Sequence, residues 1–181
     1  LSTISTGLIV PSKFFDLAKE GKDFYMFAPH TVKQEYGVTL DDIDLEKYYD
    51  DMVANPNIDK KKKDAREMLN MIAQTQLQSG YPYLMFKDNA NKVHANSNIG
   101  QIKMSNLCTE IFQLQETSVI NDYGIEDEIK RDISCNLGSL NIVNVMESGK
   151  FRDSVFTGMD ALTVVSDEAN IQNAPGVKKA N

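Results

Sequence analysis

Apolar side chains recur at three- and four-residue steps in the middle of the chain, and this period predicts its most regular helix. The predicted helix runs from about Asp59 to Gln78 and ends at Gly80. The run Lys60–Lys63 lies near its start, flanked by acidic residues. We expect this run to be a solvated helix face, although such runs can also attract an acidic partner or a phosphate. The stripe along one face of the helix consists of Ala65, Met68, Leu69, Ile72, Ala73, Gln76 and Leu77.

Shorter apolar runs separated by turn residues predict a succession of strands and helices in the first half. Residues 3–10 predict a buried strand, and Pro11 and Ser12 begin a helix that Gly21 ends. The other predicted elements are a strand or turn at Phe24–Phe27, a helix between Leu40 and Ala54 that Asp41 or Asp42 caps, and a strand at Tyr83–Phe86.

The second half is more polar and its periodicity is weaker. His94 falls in a stretch rich in asparagine and is expected to be a surface histidine rather than a ligand. Strands separated by helices predict an α/β fold with parallel connections. The predicted elements are a loop at Asp88–Gly100, an exposed acidic excursion at Glu116–Asp132, a strand at Ile133–Val145 and a helix from about Asp153 to Asn170.

Composition narrows the possible functions. The 181 residues suffice for one domain or most of one, and no run approaches the roughly 20 apolar residues of a membrane-spanning helix. A net charge of −7 argues against binding duplex nucleic acid through its phosphates. Two cysteines without a signal peptide indicate a reducing, cytoplasmic location.

The most informative chemistry lies in the run from Ser105 to Ile111. If this segment is extended, Asn106, Cys108 and Glu110 project from the same face. A helix would turn Cys108 about 200° away from Asn106. The spacing therefore favours a strand or extended loop that carries an amide, a thiol and a carboxyl into one pocket, which is a catalytic set. The alternative is a cysteine that is only a small buried hydrophobic residue.

Three longer strings identify a family. Ser79–Phe86, Met104–Ile111 and Ser134–Asn141 resemble the large α subunit of ribonucleotide reductase, and the class Ib type most of all. Cys135 follows Cys108 by 135 − 108 = 27 positions, a separation similar to that of this subfamily. Further stretches that resemble it are Thr3–Pro11, Phe24–His30 and Ala161–Asp167.

The resemblance implies a fold and a role for each site residue. Residues 1–181 would be part of a single catalytic domain, a ten-stranded α/β barrel with a cysteine on its finger loop, truncated at both ends. Cys108 would be the thiyl radical site, Glu110 the general base at the 3′ hydroxyl, and Asn106 a hydrogen-bonding partner of the ribose hydroxyls. Leu107 and Thr109 would complete the substrate-binding run.

The resemblance also implies an activity and its partners. Ribonucleoside diphosphates would be converted to 2′-deoxyribonucleoside diphosphates, and Cys135 would be half of a redox-active disulfide whose other half lies outside this chain. No metal site is expected in the chain. The radical would come from a separate subunit with a manganese or iron dimetal centre and a tyrosyl radical. A thioredoxin- or glutaredoxin-like dithiol would supply electrons, nucleoside triphosphates would act as effectors, and the parent subunit would be a homodimer.

Alternatives to this interpretation stay open. The chain alone is expected to be inactive, because it lacks the partner of Cys135. It could instead be a non-catalytic nucleotide-binding or interaction module that retains the fold, or a subunit that assembles with separately encoded pieces. A structural disulfide between Cys108 and Cys135 is a further alternative that a reducing compartment disfavours.

Overall fold

The computed structural model describes residues 4–121, 124–169 and 176, and the chain divides into two units. Two short strand pairs organise the first unit. The units are Leu1–Phe112 and Gln113–Asn181. Strands β1 (Gly7–Val10) and β4 (Tyr83–Phe86) pair in parallel, with Gly7 opposite Tyr83. Strands β2 (Asp23–Phe27) and β3 (Lys60–Asp64) pair antiparallel. Within the described residues these strands do not close a barrel.

Seven helices are present in the described part of the chain. Side-chain caps fix the start of three of them. Asp44 accepts from the backbone amides of Glu46 and Lys47, Asp64 accepts from that of Glu67, and Asn141 accepts from that of Asn144. The first unit contains α1 (Ser12–Glu20), α2 (Pro29–Tyr36), α3 (Leu45–Ala54), α4 (Ala65–Ser79) and α5 (Lys87–Val93), and the second contains α6 (Ile142–Glu147) and α7 (Phe151–Glu168).

Aromatic packing between α1, β2 and α3 forms the core of the first unit. The ring of Phe24 lies between those of Phe14, at 5.2 Å, and Tyr49, at 5.6 Å between centroids. The Tyr49 hydroxyl accepts a hydrogen bond of 2.7 Å from the backbone amide of Tyr25, so this buried polar group is satisfied. Other buried core residues are Leu17, Phe27, Val32, Met52, Ile58 and Ala65.

Several predicted elements are confirmed. Helix α1 begins and ends as expected, with Gly21 in the left-handed conformation at its end. The strands at Phe24–Phe27 and Tyr83–Phe86, the end of α4 and the final helix are also present. The predicted end of that helix at Asn170 lies outside the described residues. The excursion at 116–132 is mostly exposed where described, and an isolated bridge joins Val119 to Glu128.

The lysine run was placed wrongly. Lys60–Lys63 belongs to strand β3 and not to the helix, because the Asp64 cap starts α4 at Ala65 and the preceding backbone pairs with β2. The Lys60 ammonium also donates to the Asn55 carbonyl oxygen at 2.6 Å beyond the end of α3. The three lysines that follow are exposed, so the run is solvated as expected.

Other predictions were wrong for local reasons. Asp41 and Asp42 form ion pairs with Lys103, so Asp44 caps α3 in their place. The predicted loop at Asp88–Gly100 starts within helix α5, and α2 was not foreseen. The region predicted as a strand at 133–145 has irregular backbone before α6. Strand β1 is buried only at Val10, since a two-stranded sheet leaves its faces uncovered.

Candidate active site

Residues 105–111 form a closed turn rather than an extended segment. The backbone amide of Thr109 donates to the carbonyl oxygen of Asn106 at 3.1 Å, with Leu107 and Cys108 at the centre of the turn. Thr109 has φ 62°, in the left-handed region. The prediction of an extended segment with alternating side chains was therefore wrong. A turn places Asn106, Cys108 and Glu110 within one short loop instead.

The side chain of Asn106 explains this conformation. Its Oδ1 atom accepts hydrogen bonds from the backbone amides of Glu110 at 3.2 Å and Ile111 at 3.0 Å. Short amide side chains compete with regular structure in this way. Ser105 closes the base of the turn, since its Oγ donates to the carbonyl oxygen of Ile111 at 2.7 Å. The closure is local and is encoded within seven residues.

The thiol lies at the exposed end of the turn. Leu107, Cys108 and Glu110 are exposed, whereas Asn106 and Thr109 are half-buried. The side chain of Asn106, which stabilises the turn, is thus partly covered by the protein, whereas the thiol of Cys108 and the carboxyl of Glu110 are exposed. Such an arrangement can present a thiol and a base to a molecule that approaches from outside this unit.

A small cavity of about 240 Å³ lies beneath the turn. Its walls come from β1, β4 and the turn itself, including Tyr83, Ser105, Asn106, Leu107 and Thr109. Among the described residues, Cys108 and Glu110 are not part of this lining. The predicted set is therefore split, with the amide on the cavity wall and the thiol and carboxyl on the outer side.

A pair of tyrosines adjoins the turn, and the sequence interpretation gave them no role. The rings of Tyr81 and Tyr83 meet edge to face at 5.1 Å, and Ser5 Oγ donates to the Tyr81 hydroxyl at 2.8 Å. The pKa of Tyr83 is raised, chiefly by Tyr81 and then by burial, with smaller effects from the charges of Cys108 and Glu110. The feature of the sequence that could have revealed this pair is the two-residue spacing of the tyrosines at the start of a predicted strand.

A second asparagine anchors the segment that leads into the turn. Asn91 of α5 accepts from the backbone amide of Ile102 at 2.8 Å through Oδ1 and donates from Nδ2 to the Ile102 carbonyl oxygen at 3.0 Å. Nδ2 also donates to the carbonyl oxygen of Lys87 at 3.0 Å. Ile102 is fully buried, so the chain is fixed four residues before Asn106.

Cys135 lies in the second unit and is exposed. Its neighbours are both held, since the amide of buried Ser134 donates to Gln113 Oε1 at 2.8 Å and Asn136 Nδ2 donates to Ser166 Oγ in α7. Both cysteines are thiols in the structure, so the structural disulfide considered above is not formed.

Comparison with known proteins identifies the family. The family model described as the ribonucleotide reductase barrel domain matches residues 1–181. The chain belongs to the ribonucleotide reductase barrel family. The predicted family and the predicted α/β barrel segment are therefore confirmed.

Reductase α subunits from several organisms are similar to the chain over most or all of its length. The subunit alpha of ribonucleoside-diphosphate reductase from Bacillus subtilis is 49% identical over 181 residues, and that of Mycoplasma pneumoniae is 38% identical over 182. These matches cover 100% of the chain and 26% and 25% of the relatives. The NrdEB subunit alpha of Bacillus subtilis is 47% identical over 70% of the chain and 11% of its own length, in agreement with the class Ib resemblance. The chain spans about a quarter of the length of its first two relatives.

Within residues 4–121, 124–169 and 176, no group of three or more histidine, cysteine, aspartate or glutamate side chains could hold a metal ion. His94 lies at the end of α5.

No helix in the described part of the chain is long and apolar enough to cross a membrane.

Proposed function

We propose that this chain is the catalytic-core segment of a class Ib ribonucleoside-diphosphate reductase and works within a longer α subunit. In this proposal the subunit converts ribonucleoside diphosphates to 2′-deoxyribonucleoside diphosphates. The observation that carries the proposal is the closed turn with Cys108 between Asn106 and Glu110, in a chain that the barrel family matches throughout. The exposed thiol supports a role in which substrate and radical both reach it from outside this unit.

The reaction assigns one step to each residue. Cys108, as a thiyl radical, takes the 3′ hydrogen atom of the ribose and returns a hydrogen atom at the end, so it is regenerated. Glu110 accepts the 3′ hydroxyl proton, which assists loss of the 2′ hydroxyl as water. Asn106 binds the ribose hydroxyls, and Leu107 and Thr109 complete the substrate contact. Cys135 and a second cysteine outside this chain give up two electrons and two protons and become a disulfide. One proton leaves with the 2′ hydroxyl as water, and the other, with the two electrons, supplies the hydrogen that replaces the hydroxyl at C2′.

The rest of the system is proposed on the same basis. A separate subunit with a manganese or iron dimetal centre and a tyrosyl radical generates the thiyl radical. A thioredoxin- or glutaredoxin-like dithiol reduces the disulfide, nucleoside triphosphates regulate the subunit, and two α subunits form a homodimer in the cytoplasm. The 181-residue chain alone is inactive under this proposal, because the second redox cysteine is not among its residues.

Single-turnover reduction of a 3′-tritiated ribonucleoside diphosphate tests the proposal. The full-length subunit that carries this chain is fully prereduced and mixed with its radical-generating subunit. Wild type should form deoxynucleotide. Cys108→Ser should neither form product nor release tritium, because the 3′ hydrogen is never abstracted. Cys135→Ser should still release tritium while it forms no deoxynucleotide, because it blocks only the later two-electron step.

The two variants control for each other, since each replaces one exposed sulfur by oxygen. Deoxynucleotide from Cys108→Ser at a rate near wild type would refute the thiyl assignment. A wild-type protein that binds ribonucleoside diphosphate but never reduces it would favour the non-catalytic binding module instead.

A further inference from the structure

A second cavity in the first unit has no part in the site described above. Its volume is about 630 Å³, against about 240 Å³ for the cavity beneath the 105–111 turn. Its walls come from the end of β1, the start of α2, the loop before α3 and the start of α5, and its lining includes none of residues 105–111. All of these elements belong to residues 1–112, so the cavity is formed within one unit.

Apolar side chains form one part of this wall. Ile9 and Pro11 contribute from the end of β1, Leu40 and Leu45 from the segment that leads into α3, and Pro29 from the first position of α2. Ligand pockets typically combine such an apolar surface with a few polar groups that orient the ligand. This part of the wall suits an apolar or aromatic body.

Basic side chains form the other part of the wall. Lys33, Lys87, Lys103 and His30 all line the cavity, whereas Asp41 contributes the one carboxylate of the described lining. A cavity left by imperfect packing of a core would be lined by apolar groups, because charged side chains are seldom buried without a partner. The composition of the wall therefore points to an anionic ligand.

The acidic side chains around this cavity are already engaged. Asp41 and Asp42 both pair with Lys103, at 3.3 Å and 2.5 Å. Asp88 accepts from the first backbone amide of α1 at 2.6 Å, and Asp44 accepts from two amides at the start of α3. Amides at the start of a helix offset part of the negative charge of such carboxylates. Lys103 is thus neutralised, and the other basic groups are not.

Two of the lysines retain the capacity to bind an anion. Lys87 is half-buried, and its Nζ atom donates to the backbone carbonyl oxygen of Asp41 at 2.7 Å, which is an uncharged acceptor. Lys33 forms no ion pair within the described residues, and the first turn of α2 contains no acidic side chain. An ammonium carries three donors, so most of the donors of both lysines are available to a ligand.

We propose that this cavity binds a phosphorylated small molecule with an apolar or aromatic body. Lys33 and Lys87 bind the phosphate, and His30 adds a ring N–H donor. Leu40 and Leu45 contact the body of the ligand. Phosphate oxygens accept charge-assisted hydrogen bonds from ammonium groups, and these are the stronger class. The inference goes beyond the proposed function, since none of these residues belongs to the 105–111 turn.

Pyridoxal 5′-phosphate is a suitable probe, because it joins a phosphate to an aromatic ring that bears an aldehyde. The aldehyde condenses with an unprotonated lysine amine and releases water, and borohydride then adds hydride to the imine to give a stable secondary amine. The full-length subunit that carries this chain is labelled, reduced, digested and mapped by peptide mass spectrometry. We expect the label on Lys87, since burial lowers the pKa of its ammonium and leaves more of the reactive amine.

Pyridoxal, which has the same ring and aldehyde without the phosphate, is the matched control probe. The labelling by the phosphorylated probe is divided by that by pyridoxal, so the intrinsic reactivity of each amine cancels. We expect this ratio to be at least about fivefold higher at Lys87 than at Lys63, an exposed lysine of β3. Inorganic pyrophosphate should protect Lys87 and leave the labelling of Lys63 unchanged.

A pair of variants tests the contribution of the second lysine. Lys33→Met should lower labelling of Lys87 by the phosphorylated probe at least about threefold, because one charged donor to the phosphate is lost. Lys61→Met removes the same charge from an exposed position on β3 and should leave labelling within about 1.5-fold of wild type. Lys33 is exposed, so both variants should keep the melting temperature of wild type.

Three results would overturn the inference. The first is an equal ratio of the two probes at Lys87 and Lys63, and the second is unchanged labelling of Lys87 in Lys33→Met. The third is a full-length subunit in which Lys87 takes no label, because another segment would then fill the cavity. Reductase activity is not measured, so these results are independent of whether Cys108→Ser reduces substrate.

Discussion

The side-chain oxygen of Asn106 accepts a hydrogen bond of 3.2 Å from the backbone amide of Glu110, across the turn that bears Cys108. One amide group thereby fixes the position of the carboxyl-bearing residue relative to the thiol-bearing one. In the sequence interpretation Asn106 was assigned to substrate. In the structure it also determines the geometry of the site to which it belongs.

Removing this side chain should loosen the turn without unfolding the unit. In Asn106→Ala the amides of Glu110 and Ile111 lose their acceptor, and a hydrogen bond contributes about 1 kcal/mol. We expect hydrogen exchange at both amides to speed up by about fivefold. Asn106→Asp retains the acceptor atom and should keep their protection, so equal exchange in the two variants would contradict this account.

Replacing Thr109 with glycine should stabilise the fold. A β-branched residue with φ 62° is strained, whereas glycine adopts that conformation readily. We expect Thr109→Gly to raise the free energy of unfolding by about 1 kcal/mol, measured by urea denaturation. Thr109→Val keeps the branched side chain and serves as the control. A gain of similar size in Thr109→Val would show that the backbone angle is not the cause.

Asn91 should matter more for stability than its exposed neighbour. Asn91→Ala leaves the buried amide and carbonyl of Ile102 without this partner, and we expect a loss of about 2–3 kcal/mol. Asn89→Ala on the same helix should lie within about 0.5 kcal/mol of wild type. Thermal or urea unfolding of the two variants side by side checks this. Similar losses of stability in the two variants would show that the hydrogen bonds of Asn91 to Ile102 are not what stabilises this segment.

Lys103 should stabilise the fold in a pH-dependent way. The pKa of Asp42 lies below its usual range, chiefly because Lys103 donates to it. A lowered carboxyl pKa contributes stability that is present above the unfolded value, about pH 4, and is lost as the pH falls through the folded value. Both side chains are partly exposed, so the contribution is at most about 1 kcal/mol.

The measurement for this pair is urea unfolding of wild type and Lys103→Met at pH 7 and pH 3. The difference between the two proteins should be larger at pH 7 than at pH 3. Lys61→Met removes the same charge from an exposed position on β3 and should show no such trend. A difference that grows towards pH 3 would be the wrong sign for a lowered carboxyl pKa.

Helix ends that depend on neighbouring residues were predicted correctly from the sequence. Gly21 and Gly80 end their helices as expected, because glycine alone takes the left-handed conformation without strain. The Asn106-Cys108-Glu110 run was singled out as the candidate site, but the extended shape predicted for it was wrong. The reason is that Asn106 bonds to amides four and five residues later, and alternation along a strand does not anticipate such a bond.

Long-range pairing explains the remaining errors. Lys60–Lys63 looked helical because its strand partner, Asp23–Phe27, lies far away in the sequence and contributes no periodicity to the run itself. Asp41 and Asp42 were predicted to cap α3, but both form ion pairs with Lys103, which lies far along the sequence. Tyr83 escaped notice for the same reason, since its relation to the Cys108 turn exists only once β1 and β4 have paired.

The parallel pairing of β1 with β4 has a kinetic consequence. Ser5 and Tyr81, at the entry to these strands, are 76 residues apart, so a long loop must close before the sheet exists. Contacts of such high order form slowly, whereas the helices between them assemble from near neighbours. We therefore expect the cavity wall beneath the 105–111 turn to be completed late in folding and to be among the first parts lost on unfolding.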